Sequence, residues 1–202
     1  MRVAKLTSVA AFALAAAACS GNSEQAADDI STEANLAEDS AANDVLGADA
    51  MAGNAAAAAM PTDAQGFVTA AAATDLYEIE SAKLAASKSG STEIKEFAGH
   101  IQTDHTKSTA ELKTAASQAK ATVSPALDAE KQAMLDQLKA ASGAEFDRLY
   151  LQQQKAAHEK ALALLQSFAQ SGDAEPLKAF ARKTTPVIEG HIEHLNGIRQ
   201  PS

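Results

Sequence analysis

Ser91-Thr92-Glu93-Ile94-Lys95-Glu96-Phe97-Ala98-Gly99-His100-Ile101-Gln102-Thr103-Asp104-His105-Thr106-Lys107 opens a stretch that runs on through Leu112 to about Lys120. At about 100° per residue, Ile94, Ala98, Ile101, His105 and Leu112 fall on one narrow stripe. Such a stripe specifies a helix with one buried face, and His105 lies at its centre. His100 falls well off it, toward solvent. Ser91 or Thr92 can cap the helix start.

The same period appears on both sides of this stretch. Upstream, a helix is predicted over Asp63–Lys88, stopping before Gly90. Downstream, Ser124-Pro125 reads as a cap followed by proline at the first helical position, opening a short helix that ends near Ser142-Gly143. Ser142-Gly143-Ala144-Glu145 reads as a capping box that begins a long helix to about Gln170. Ser171-Gly172-Asp173 closes that helix and caps a last one to about Ile198, with Pro176 in its first turn and Pro186 expected to kink it. Strand formers are sparse and alanine is abundant, so no sheet is expected. The fold class is therefore all-α: an up-down four-helix bundle over residues 62–200, with one extra short helix lengthening the crossing between the second and third long helices.

All five histidines lie in this bundle. On the last helix, Leu177, Phe180, Val187, His191, Leu195 and Ile198 share a stripe centred on His191, with His194 at its edge. On the third long helix, Leu151, His158, Leu162 and Leu165 align, with Asp147 on the same side. On the first, Phe67, Ala71, Thr74, Glu78 and Ala85 align, although that stripe is made mostly of small residues. Each long helix thus aims one metal-capable side chain inward: Glu78, His105, His158 and His191. Imidazole and carboxylate are ligands for Fe, Mn and Zn, and a bundle core is a place where such sites are built. One transition metal ion is the cofactor this set suggests. Asp104, Asp147 and His194 are peripheral candidates. Inward histidines also serve as hydrogen-bonded core residues with no metal, and the residue pattern leaves both readings open. A di-iron carboxylate centre uses Glu three residues before His on two helices. Here those positions hold Phe97, Gln102, Lys155, Ile188 and His191, so that centre is not expected.

The N-terminal residues read as an address. Arg2 and Lys5 precede an apolar run from Leu6 to Ala18, shorter than the roughly 20 residues that span a bilayer. The run ends Ala16-Ala17-Ala18-Cys19, which looks like the lipobox of a bacterial lipoprotein, and Cys19 is the chain's single cysteine. Residues 1–18 are read as a lipoprotein signal peptide, with ordinary secretory cleavage as the alternative. Acylation of Cys19 would insert several chains, and two or more anchor stably. Ser20 after Cys19 favours the outer membrane, with the protein facing the periplasm. Residues 19–61 then read as an acidic tether. Between Ser20 and Asp63 there are nine acidic residues and no lysine or arginine, too little apolar surface to offset the entropy of ordering. Most of the formal net charge of −9 belongs to this segment. The bundle is close to neutral and has no basic patch interleaved with aromatics, which excludes nucleic acid as an expected partner. The expected partner is the membrane, through the lipid on Cys19.

Several stretches resemble a known family: Tyr77-Glu78-Ile79-Glu80 with Lys83-Leu84-Ala85; Phe97-Ala98 with Asp104-His105-Thr106-Lys107; Ser142-Gly143 with Phe146-Asp147 and Tyr150-Leu151; His158-Glu159-Lys160; Leu177-Lys178-Ala179-Phe180; and Pro186-Val187 with His191. Together they resemble the bacterial "predicted outer membrane protein" family, domain of unknown function 4142. The resemblance implies a ferritin-like bundle and an envelope location. That family commonly carries Asp before the histidine of the third long helix, where this chain has Ala157. The resemblance supplies no reaction, and a fold does not imply one.

No phosphate loop, dinucleotide fingerprint, zinc-protease motif or Gly-x-Ser-x-Gly elbow is present. No catalytic residue is assigned. The sequence therefore favours an envelope lipoprotein with a binding or stress-related role, holding a metal ion in its core. A purely structural or interaction module without metal is the alternative. A ferritin-like oxidoreductase would need more converging carboxylates than these stripes supply.

Overall fold

The computed structural model describes residues 60–199. The signal segment, Cys19 and all but the end of the tether lie outside the described residues. Five helices make up the described region: α1 Ala64–Lys88, α2 Thr92–Gln118, α3 Ala129–Ala140, α4 Gly143–Ser171 and α5 Glu175–Gly197. No strand occurs among the described residues, and none of these helices is long and apolar enough to cross a membrane.

Local chemistry sets most of the boundaries. Asp63 Oδ1 accepts from Gly66 N at 2.8 Å and caps α1. Ser91 Oγ accepts from Ile94 N at 3.3 Å and caps α2. The helix α2 closes with Ala121 N donating to Ala116 O, around Lys120 in the left-handed region at φ 58.

Three expected caps differ. Ser124-Pro125 opens no helix. Gln65 pairs with both backbone groups of Thr122, at 2.9 Å each, and so fixes that segment outside a helix. The short helix begins instead at Asp128, whose Oδ1 accepts from Lys131 N at 2.8 Å. Ser142 precedes α4 but makes no side-chain cap; Gly143 adopts φ 57, which breaks the capping-box geometry. Asp173 does not cap α5. Its N–H donates to Thr62 O, and the helix starts after Ala174. Pro186 lies within α5, which continues through it to Gly197.

The end contacts give the directions. The start of α1 meets the end of α2 through Gln65 and Thr122. The end of α1 meets the end of α3, where Lys88 Nζ donates to Leu138 O at 2.9 Å. The start of α5 lies beside the start of α1, through Asp173 and Thr62. Thus α1 and α5 run one way, and α2 and α4 the other. Helix α1 packs on α2 and α4, and α5 packs on the same two. Every neighbouring pair of long helices is antiparallel. The short helix α3 lies on α1 and α4 and carries the crossover from α2 to α4, the single long crossover of ferritin-like bundles.

The core divides into layers along the bundle axis. One apolar layer holds Phe67, Leu112, Phe168, Leu177 and Phe180. Phe67 stacks on Phe168 at 4.0 Å, and Phe180 meets Phe67 edge-on at 6.3 Å. The other holds Ile94, Phe97, Ile101, Phe146, Tyr150 and Leu195. Burying each large side chain contributes roughly 2–3 kcal/mol. Between these layers the four long helices present polar side chains to one another. On α5 the apolar stripe is turned slightly from the expected one: Ile188 is buried, while Val187 is 41% exposed. The buried arc therefore runs through Thr184, Ile188 and His191 at steps of four and three.

Candidate metal centre

The polar layer is built around three imidazoles. His105 on α2, His158 on α4 and His191 on α5 are all buried, at 3%, 1% and 7% exposure. Their ring centroids form a nearly equilateral triangle of 5.7, 5.6 and 5.3 Å. Each offers one nitrogen such that the three atoms lie within 4.8 Å of one another.

The other nitrogen of each ring is anchored. His105 Nδ1 lies 2.8 Å from Asp75 Oδ1. That carboxylate also accepts from Thr109 Oγ1 at 3.1 Å. His158 Nδ1 lies 2.9 Å from the backbone carbonyl of Gln154. His191 Nε2 lies 3.0 Å from Asp104 Oδ2. Carboxylate and carbonyl oxygens accept, so the hydrogen-bond network assigns the proton to the outer nitrogen of each ring. The inner nitrogens, His105 Nε2, His158 Nε2 and His191 Nδ1, are then lone pairs. His105 Nε2 is buried with no hydrogen-bond partner. His158 Nε2 and His191 Nδ1 face each other at 3.2 Å. Two lone pairs at that distance repel unless a proton or a cation lies with them. Metal-binding histidines carry this outer anchoring by carboxylate or carbonyl, which fixes tautomer and ring orientation.

The electrostatics of the layer follow from burial. Burial, together with neighbouring His105 and His191, pushes His158 down to about 3, so it stays neutral. Burial likewise lowers His191, against the opposing effect of the hydrogen bond it donates to Asp104. His105 goes the other way: burial disfavours its proton, but the Asp75 hydrogen bond and the charges of Glu78 and Asp75 raise it. Glu78 is pushed up to about 7 by burial. Its two oxygens are buried and unpartnered.

The expected set is thus placed unevenly. The three histidines come together. Glu78 is buried in the same layer but stands at the back of His158, with Oε1 3.7 Å from the anchored Nδ1, and its oxygens are not among the converging atoms. Asp104, a peripheral candidate, holds His191. Asp147 is buried eleven residues before His158 on α4, about 16 Å along the axis. His194 is exposed and faces His100 across the α2–α5 surface, with ring centroids 6.0 Å apart. Sequence reasoning missed Asp75 and the Gln154 carbonyl. Asp75 lies three residues before Glu78 and could have been found as a second inward carboxylate. The stripe drawn through Thr74 passed beside it.

The family model for "Domain of unknown function (DUF4142)" matches residues 49–198. The chain belongs to the DUF4142 family. Two solved structures share the fold. One is CopM in the Cu(II)-bound form, with a TM-score of 0.57 and 20% identity, covering 67% of this chain and 94% of that one. The other is CopM in the Ag-bound form obtained by co-crystallisation, with a TM-score of 0.55 and 20% identity, covering 67% and 93%. At that identity the likeness is one of fold. No curated protein matches significantly in sequence.

Proposed function

We propose that this DUF4142 protein binds a transition metal ion through His105, His158 and His191, as an exported lipoprotein anchored at Cys19 to the outer membrane and facing the periplasm. One observation carries the metal reading: three inner nitrogens converge while all three outer nitrogens are anchored on oxygen acceptors. The 3.2 Å spacing of His158 Nε2 and His191 Nδ1 is close to the roughly 3.3 Å edge of a tetrahedron with nitrogen–metal bonds of about 2.0–2.1 Å. Three imidazoles with neither thiolate nor carboxylate in the converging set suit Zn(II) and Cu(II) better than Mn or Mg. The fold likeness to a protein solved with Cu(II) and with Ag is consistent with this choice. An ion enclosed between two apolar layers fits holding or buffering better than turnover.

A metal-free reading has one observation of its own. A single proton shared between His158 and His191 would satisfy the 3.2 Å contact without an ion. The two readings separate on metal content. The full chain, without a histidine tag, is exposed to Zn(II) or Cu(II), dialysed, and analysed for metal beside His105→Ala and His191→Ala. The metal reading expects about one ion retained by the wild type and little by either variant. Equal content in all three overturns it.

A further inference from the structure

We infer that His100 and His194 form an outer docking site for the same class of ion, a divalent transition metal, on the α2–α5 surface about one helical turn from the buried triad. The inference rests on the metal reading of that triad.

Both side chains are exposed, and they come from different rigid helices, α2 and α5. Their ring centroids lie 6.0 Å apart at a 59° tilt, close to the separations within the triad. His194 is held by an edge-on contact with Phe97, at 5.2 Å and 85°; Phe97 itself is fully buried and so is a fixed platform. Two imidazoles presented this way can chelate one exchangeable ion, with water completing its coordination, and little ordering entropy is lost because the helices already position both rings.

The outer pair joins the inner set through the helices that carry it. His194 follows His191 by three residues. His100 precedes Asp104 by four and His105 by five. These offsets correspond to about 5–8 Å along the axis. Phe97 also touches the rings of His158 and His191, at 6.3 and 6.4 Å, and so closes the direct path. Asp104 lies about one turn beyond His100 on α2. Its side chain is 41% exposed, and its Oδ2 holds His191 Nε2 at 3.0 Å. An ion leaving the outer pair therefore meets an anionic oxygen bonded to a ligand of the inner centre. Rotation of His191 against Asp104 would hand it inward. The competing account is a pair of solvated surface histidines with no ligand.

The test uses the full chain with Cys19→Ser throughout, so that no thiol competes, and Cu(II) as the probe. Stoichiometry is read by titration, and loading is followed by stopped-flow quenching of Tyr77 and Tyr150 fluorescence. The His100→Ala/His194→Ala double variant removes only exposed side chains. The wild type should take up a tight and a weaker equivalent. The double variant should lose the weaker one and load the tight one about tenfold more slowly, the lower end of the gain from local preconcentration, while its final affinity stays within about twofold. Identical stoichiometry and loading rate in both proteins overturn the inference. A single equivalent that survives in His105→Ala but vanishes in the double variant upholds the outer site while refuting the buried centre. No uptake by the wild type refutes both.

Discussion

Asp75 gives the sharpest test of how the buried layer prepares a ligand. Its Oδ1 lies 2.8 Å from His105 Nδ1 and sets the tautomer that leaves Nε2 as a lone pair. In Asp75→Ala the outer proton loses its acceptor, and His105 is free to rotate or to move the proton to the inner nitrogen. Removing such an outer partner lowers metal affinity by about 10–100-fold, or about 1.4–2.7 kcal/mol. Asp75→Asn should be milder. The asparagine oxygen can still accept from Nδ1–H, while its amide donates to Thr109 Oγ1, whose single hydrogen then goes to the His105 carbonyl 2.9 Å away. The tautomer survives and only the charge is lost, so Asp75→Asn belongs near the tenfold end and Asp75→Ala near the hundredfold end. Competition against a chelator of known affinity, with Zn(II), measures the ratio, and circular dichroism checks that both variants are folded. Wild-type affinity in Asp75→Ala, or an asparagine variant as weak as the alanine variant, would refute the reasoning.

Further outcomes follow from the same geometry. His158 is held near 3 in the folded protein against about 6.5 unfolded, so the unfolded chain binds the extra proton and metal-free protein loses stability as pH falls through that interval. Glu78, raised to about 7, acts oppositely between pH 4.5 and 7, favouring the fold as pH falls. Net loss from this pair is therefore confined to below about pH 4.5, where it amounts to about 2 kcal/mol by pH 3. Glu78 is common to both proteins, so urea unfolding of metal-free wild type and His158→Gln should diverge from about pH 6.5 downward, by about 5 kcal/mol at pH 3, and parallel profiles would exclude the assignment. Phe168→Ala removes a fully buried ring stacked at 4.0 Å on Phe67. It should cost about 3–5 kcal/mol and lower Tm by about 10 °C in thermal unfolding; a change within a degree or two would mean the layer is not packed as described. Labelled palmitate fed to cells should enter the wild type and not Cys19→Ala, and equal labelling would disprove the anchor.

Much of the bundle was legible because α2 and α5 each bury one face and expose the other. On such helices a period of 3.6 locates His105 and His191 directly. The periodicity gave the four long helices and the short one in the crossover. The helix starts were harder. Ser124-Pro125 and Ser142 carry the right residue types, yet whether a cap forms depends on distant partners such as Gln65 and on the φ of Gly143. Helix α1 was least readable, since it packs against α2, α4 and α3 and is rich in alanine. A helix buried on several sides has no single stripe, and Asp75 went unseen beside Glu78. Depth along the axis was also beyond the pattern. The angle of Asp147 suggested the inner face, but its height puts it far from the histidines. Only the packed register shows that three imidazoles share one layer.

The account turns on those imidazoles acting together on one ion. X-ray absorption at the metal edge of the Zn(II)- or Cu(II)-loaded full chain tests this most directly. The expected spectrum shows three imidazole nitrogens at about 2.0–2.1 Å, with the multiple scattering of intact rings, and loses them in the His105→Ala/His158→Ala/His191→Ala protein. A spectrum dominated by oxygen ligands, or one unchanged by removing all three histidines, would contradict it.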